Sequence, residues 1–194
     1  TCALPICVVK TKSELYDYLR AHDKTAFVNA DNALLMSLLG SLKHYAYGTG
    51  SQTDCRVQPD GCNPYLSVTW EGRKIQTHLV GGYNFENTAA AIAVGKHFGI
   101  DANDIQSAIE GYHPTNSRSQ VIEGRNQIIM DAYNANPTSM RASVTNFKGI
   151  CGDDAMLILG DMRELGDAAE EEHKAILTLL KESGFRQVFL VGPC

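Results

Sequence analysis

From Gln127 onward, short apolar runs alternate with helix-spaced patterns, and this alternation limits the folds open to the chain more than any other feature. Gln127-Ile-Ile-Met130, Ala155-Met-Leu-Ile-Leu159 and a run near Val188 read as buried strands. Between them, Met140, Val144, Phe147 and Ile150 recur at helical spacing, and a second helix pattern covers about Ala169 to Lys181. Strands that alternate with helices in this way form parallel sheets joined by crossover helices. The order βαβαβ is one half of a doubly wound sheet, where ligands bind at the carboxyl ends of strands. Asp131 and Asp161 end successive strands, which predicts that both lie on one edge.

Asp131-Ala-Tyr-Asn-Ala-Asn-Pro137 stands where the first of these strands hands over to its helix, with Thr138 and Ser139 as capping candidates. Two readings are open. Asx residues and proline make turns and cap helices, and a carboxylate, a phenol and two amides at a strand end also suit a ribose or an amide. No glycine is present to explain the turn. The charged loop Gly160-Asp-Met-Arg-Glu-Leu-Gly166 follows the next strand, and Glu170-Glu-Glu172 reads as a solvated first helical turn, where negative charge is favourable.

The earlier part of the chain is less regular. Residues 1–7 lack an initiator Met and read as a scar or misassembled end. Thr11 to His22 predicts a helix with Leu15, Tyr18 and Leu19 on one face and a Thr11/Glu14 capping box, or else the middle of a longer helix. Thr25 to Asn29 and His44 to Tyr47 read as short strands around a helix over Ala33 to Leu39. Thr49 to Asn63 is polar, contains Gly and Pro, and reads as loop. Tyr65 to Trp70 and Lys74 to Val80 alternate around Glu71-Gly72, a hairpin pattern. Gly81-Gly-Tyr-Asn-Phe-Glu-Asn87 then leads into an alanine-rich helix with Asn84 as its expected N-cap. Asn84 and Asn87 lie one turn apart at the positive end of that helix, where polar ligand groups bind readily. Asp101 opens a further helix that Gly111 ends, and the polar run Pro114 to Ser119 reads as a connector between domains.

Composition excludes several classes. A net charge of −5 is the wrong sign for a nucleic-acid surface. No apolar run reaches the roughly 20 residues of a membrane span. Cys2, Cys7, Cys55, Cys62, Cys151 and Cys194 contain no Cys-x-x-Cys pair, and no export signal is visible, so reduced thiols in a cytoplasm are expected. A zinc site at Cys55, Cys62 and His44 has no usual ligand spacing. A Gly-x-Gly-x-x-Gly at a first strand, which a dinucleotide oxidoreductase needs, is lacking.

Taken together, several motifs resemble the Mur ligases, and among them the type that adds D-alanyl-D-alanine. They are Gly82-Tyr-Asn84 with Asn87, Arg118 in the connector, Asp131-Ala-Tyr-Asn-Ala-Asn-Pro137, and Leu159-Gly-Asp-Met-Arg-Glu-Leu-Gly166 followed by His173. Asn29-Ala-Asp31 and Lys12-Ser-Glu-Leu15 fit as well. The resemblance implies an α/β chain with residues 8–117 as the C-terminal part of a central ATP-binding domain. Residues 118–194 would then be the first half of a Rossmann-like C-terminal domain. It implies an ATP-dependent, cytoplasmic, monomeric amide ligase of peptidoglycan precursor synthesis. Such a ligase phosphorylates the carboxylate of a UDP-N-acetylmuramoyl tripeptide, and the amine of D-alanyl-D-alanine attacks the acyl phosphate.

By position, Asn84 and Asn87 would face adenine. Arg118 would hold phosphates, and Asp131 the ribose, with Tyr133 and Asn134 close by. Lys12 matches a lysine that several members carbamylate to hold Mg²⁺. The family's Thr-Gly-Lys-Thr phosphate loop has no counterpart, since Gly48-Thr-Gly-Ser51 lacks the lysine. The domain that binds the UDP-sugar has none either, so the chain is expected to be inactive alone and to bind nucleotide weakly at most. Alternatives are another ligase on this scaffold, such as a folylpolyglutamate synthase or a different Mur ligase, or an inactive nucleotide-binding module. Tyr133-Asn134 speaks against the first, whose members tend to carry a His there.

Overall fold

A computed structural model of the chain describes residues 5–151 and 155–193, with side chains from Val9 onward. Residues 1–4 of the expected scar lie outside the described residues. The chain divides into two compact units, Thr1–His113 and Pro114–Cys194.

The first unit is built on a five-stranded sheet in chain order, with β1 Ala26–Asn29, β2 His44–Gly48, β3 Cys55–Cys62, β4 Tyr65–Trp70 and β5 Arg73–Val80. The pairs β1–β2 and β2–β3 are parallel, and β3–β4 and β4–β5 are antiparallel. Helices α1 Pro5–Ala21 and α2 Ala33–Leu38 precede β1 and β2, and α3 Phe85–His97 and α4 Ala102–Glu110 follow β5. Successive strand residues point to opposite faces. Ala46 joins the core of Ala26, Val28, Leu39 and Leu42 beneath α1 and α2. Its neighbours Tyr45 and Tyr47 pack instead on the larger core of Val57, Leu66, Val68, Trp70 and Ile75, closed by Ala89, Ile92 and Ala93 of α3 and Ile105 of α4. Helices therefore cover both faces of the parallel part of this sheet.

Three expectations for this unit need correction. Helix α1 begins at Pro5, so Thr11 is interior to it and the Thr11/Glu14 capping box is not formed; the longer helix is the one found. Its core side is Tyr16 and Leu19, whereas Leu15 and Tyr18 are each 58% exposed. The stretch expected as loop contains β3, whose first residues alternate Cys55 and Val57 inward with Arg56 outward. Pro59 and Gly61 hid this strand, and both sit where the β3–β4 register shifts, the position at which a sheet tolerates them. The hairpin is as expected: Glu71 and Gly72 both take positive φ, 47° and 76°, as a two-residue turn between twisted strands requires.

The second unit holds two small sheets. β6 Gln120–Ile122 pairs antiparallel with β7 Ile128–Met130, and β8 Met156–Gly160 pairs parallel with β9 Gln187–Val191. Helix α5 Pro137–Ile150 lies between them in sequence, and α6 Ala169–Ser183 crosses from β8 to β9. Val144, Leu157, Met162, Ile176 and Leu180 form the core, with Met140, Phe147, Leu159 and Val188 against it. Among the described residues no strand pairing joins β7 to β8. Asp131 and Asp161 thus follow strands that are not hydrogen-bonded to each other, and β8 pairs with β9. β6, too short for a pattern to reveal, takes the hydrogen bonds of β7 instead. No helix among the described residues is long and apolar enough to cross a membrane.

Candidate functional site

In the second unit the β6–β7 ladder brings the connector onto the strand end. Gln120 pairs with Met130, so the residues before β6 continue alongside those after β7. Ala132 N–H donates to Ser117 O at 2.8 Å, and Ser119 N–H donates to Asp131 Oδ1 at 3.3 Å. Ser117 and Ser119 take φ of 57° and 49°, left-handed values that are uncommon outside glycine. They flank Arg118, and that double reversal presents its side chain at the surface. The Arg118 guanidinium carbon lies 3.7 Å from the centroid of the Tyr133 ring, a cation–π contact. Arg118, Asp131 and Tyr133 thus form one cluster at the carboxyl end of β7, all three exposed.

The rest of the motif does local work. Asn134 Oδ1 accepts the N–H of Ala135 at 2.9 Å. Asn136 is the N-cap of α5, with Pro137 at the first helical position and a capping box closed by Ser139. Thr138 is not a cap, and Ser139 serves as the reciprocal partner of one. The turn-and-cap reading holds for the second half of the motif, while Asp131 and Tyr133 meet the connector. Sequence reasoning missed Ser143, one face of α5 along from the cap, whose Oγ–H donates to Asp131 Oδ2 at 2.6 Å. Nothing in the spacing of Asp131 and Ser143 signals that contact, because it depends on how the loop folds back.

Asn84 and Asn87 lie in the first unit. A 3-10 turn, Gly82–Asn84, precedes α3, and Asn84 is 8% exposed. Its side chain makes no cap; Nδ2–H donates back to Val80 O at 2.9 Å, tying strand to helix. Asn84 does occupy the N-cap position of α3 as expected, but with a helical backbone, φ −79° and ψ −3°, and no capping bond from its side chain. Asn87 is exposed and donates from Nδ2 to Asn84 Oδ1 at 3.4 Å. Gly81 before them has φ of 98°, and a Cβ there would lie 2.4 Å from the Tyr83 ring, so only glycine fits.

Two further strand ends carry acidic groups. After β1, Asp31 accepts Thr49 N–H at 2.8 Å and Thr49 Oγ–H at 3.0 Å, joining the ends of the parallel strands β1 and β2. After β8, Met162 N–H donates to His173 Nε2 at 3.1 Å. An amide N–H can only donate, so Nε2 is the acceptor nitrogen, and Nδ1 carries the proton that reaches Ala169 O at 2.7 Å. His173 is thereby fixed as a strut for the Gly160–Gly166 loop, and Asp161, 3.9 Å from Nε2, is outside hydrogen-bond reach of it. A mostly apolar cleft of about 80 Å³ adjoins them, lined by Met140, Leu159, Met162, Ile176 and Leu190.

Lys12 lies on the exposed side of α1 with no ion pair or hydrogen bond among the described residues. Those residues also contain no group of three or more His, Cys, Asp or Glu side chains able to hold a metal ion. An amine is no ligand for a hard cation such as Mg²⁺, so Lys12 fits a metal shell only as a carbamate. The nucleotide case is better: an ionised Asp with a fixed plane suits a sugar diol, and an exposed guanidinium suits phosphate.

The profile of the Mur ligase middle domain matches residues 7–95, and that of the Mur ligase glutamate ligase domain matches residues 117–194. The chain is 30% identical over 191 residues to the UDP-N-acetylmuramoyl-tripeptide–D-alanyl-D-alanine ligase of Bacillus subtilis, covering 95% of this chain and 41% of that protein. It is 36% identical over 126 residues to the ligase of the same name from Treponema pallidum, covering 65% of this chain and 28% of that protein. The chain therefore spans less than half the length of these relatives. Its fold matches the crystal structure of MurF from Acinetobacter baumannii with a TM-score of 0.78 at 24% identity, over 96% of this chain and 42% of that one.

Proposed function

The chain belongs to the Mur ligase family, and from that premise we propose that it is part of a cytoplasmic, monomeric, ATP-dependent ligase that joins D-alanyl-D-alanine to a UDP-N-acetylmuramoyl tripeptide. ATP supplies a phosphoryl group to the tripeptide carboxylate, and the dipeptide amine then displaces phosphate to form the amide. The residues of this chain hold the nucleotide. Asp131 accepts the ribose hydroxyls, Arg118 holds phosphate oxygens, and Tyr133 and Asn134 lie beside them. Asn84 and Asn87 face the adenine, and Lys12 joins a Mg²⁺ site in its carbamylated form.

The observation that carries this reading is the cluster at the end of β7, where Arg118 and Asp131, distant from each other in the sequence pattern, are brought to one place by the β6–β7 register. Arg118 offers a fixed fork of donors for a phosphate, and charge on a transferring phosphoryl group is where such a cation contributes most. Tyr133 holds the guanidinium flat until a nucleotide takes it. The 194 residues contain no phosphate loop, so the chain by itself is expected to show no ligase turnover and to bind nucleotide weakly at most.

Isothermal titration of ATP and Mg²⁺ into this chain and its Asp131→Ala variant tests the reading. Saturable heat in the first and its loss in the second is the expected result. No heat in either, or equal heat in both, overturns the nucleotide site proposed for this chain.

A further inference from the structure

We infer that Ser143 is a positioning residue for the nucleotide ribose, acting through Asp131; the inference rests on the ribose role proposed above for that aspartate. Ser143 sits on α5, half-buried, and its hydroxyl donates to Asp131 Oδ2 at 2.6 Å. Ser119 N–H donates to the other oxygen, Oδ1, at 3.3 Å. Two donors on two different oxygens fix the rotation of the carboxylate plane, which an aspartate at a surface otherwise leaves free, because that terminal torsion is soft. The serine bond is short and runs to an ionised acceptor, the stronger class of hydrogen bond. An ionised carboxylate has about four acceptor positions, so a serine hydroxyl and a sugar diol are compatible on one group.

The two donors come from parts of the chain with different supports. Ser119 lies in the connector, held by the β6–β7 ladder. Ser143 is one turn and more inside a helix that its own capping box starts, with Val144 beside it among the most deeply buried residues of the unit. α5 is thus the rigid element that sets the direction of Asp131, and the loop between them can vary without moving the carboxylate. An aspartate at the end of a strand reads the ribose 2′-hydroxyl in related nucleotide folds. A fixed plane is what converts that contact into preference for a ribonucleotide over a deoxyribonucleotide.

Position on a helix makes the test selective. Alanine is a better helix former than serine, so Ser143→Ala keeps or raises the stability of α5 while removing the hydroxyl. ATP and 2′-deoxy-ATP are titrated into the full chain, its Ser143→Ala and Ser143→Thr variants, and Asp131→Ala as control, with thermal melting of each. The expected result is ATP binding weaker by roughly threefold to tenfold in Ser143→Ala, unchanged 2′-deoxy-ATP binding, an unlowered melting temperature, and recovery of ATP binding in Ser143→Thr. Equal weakening of both nucleotides, or a lowered melting temperature, overturns the inference, because Ser143 would then be acting on the frame. If Ser143→Ala binds ATP as the parent does while Asp131→Ala loses it, the inference fails and the reading of Asp131 stands. If the parent chain binds neither nucleotide, or Asp131→Ala binds ATP as well as the parent, the ribose role of Asp131 falls and this inference with it.

Discussion

In the first unit, helices cover both faces of the parallel strands, and Val28, Val57, Val68, Trp70 and Ile75 are all but inaccessible. In the second, the apolar residues of β8 and β9 divide: Leu157, Leu159 and Val188 meet α5 and α6, while Ile158 and Phe189 are 69% and 55% exposed. Among the described residues of this unit, Val144 is the large side chain buried to the same depth as those of the first. The contrast separates two tasks. The first unit has the apolar contacts to be a stable scaffold, and the second carries the Arg118–Asp131–Tyr133 cluster on a frame with a smaller core. Precise side-chain placement there comes from local polar bonds, the capping box of α5 and the serine contacts to Asp131, more than from bulk packing.

A core truncation in each unit puts the largest strain on this comparison. Trp70 is the one tryptophan of the chain, and it lies in the first unit, so its fluorescence reports that unit alone. Ile75→Ala should cost about 2–5 kcal/mol and bring the Trp70 denaturation midpoint down sharply. Val144→Ala should cost about 1.5–3 kcal/mol, lower the hydrogen-exchange protection of α5 and α6, and leave the Trp70 midpoint unmoved. A Trp70 midpoint that follows Val144→Ala would mean that the units unfold as one, and the comparison would break.

Equivalent caps give a finer test. Asn136 caps α5 with a reciprocal partner, and Asp101 caps α4 by accepting Asn103 N–H. Asn136→Ala should cost about 1 kcal/mol, at the middle of the usual range for caps, seen as faster amide exchange in the first turn of α5. Because so much of the second unit rests on that turn, the same variant should also loosen the Ser143–Asp131 contact. Asp101→Ala should cost no more than Asn136→Ala, so the stability read from Trp70 should fall by no more than about 1 kcal/mol. The reverse ranking would show that the first unit depends as much on its caps as the second.

What could be read in the sequence follows from which forces are local. The Glu71-Gly72 hairpin and the Asp101 cap were legible because turn and cap chemistry is written into neighbouring residues. The β8–α6–β9 crossover was legible from period alone. β3 was not, since Pro59, Asp60 and Gly61 mask a strand whose inward residues Cys55 and Val57 are few. The core side of α1 was misread because Leu15, Tyr18 and Leu19 also satisfy a helical spacing, and only the packed partner β1 decides between that stripe and Tyr16 with Leu19. At the site, Arg118 and Asp131 were found by resemblance, but their meeting requires the β6–β7 register, and Ser143 requires the return of α5 onto Asp131. Such contacts are set by tertiary placement, which no periodicity encodes.

The smallest expected effect is an acid response of the first unit. Hydrogen bonds from Lys43 and Lys74 hold the Asp23 and Asp60 carboxyls below the usual range for aspartate. A carboxyl whose pKa is depressed in the folded chain contributes stability that is present above its unfolded value, about 3.9, and is lost as the pH falls through the folded value. Both pairs are open to water, where solvent and salt screen them, so the loss is slight. The Trp70 denaturation midpoint should therefore be flat from neutral pH to about 5 and decline a little below 4. Lys74→Met should remove part of that decline, and raising the ionic strength should shrink it in the parent. A steep fall beginning near pH 6 would contradict this, because these two aspartates do not titrate there.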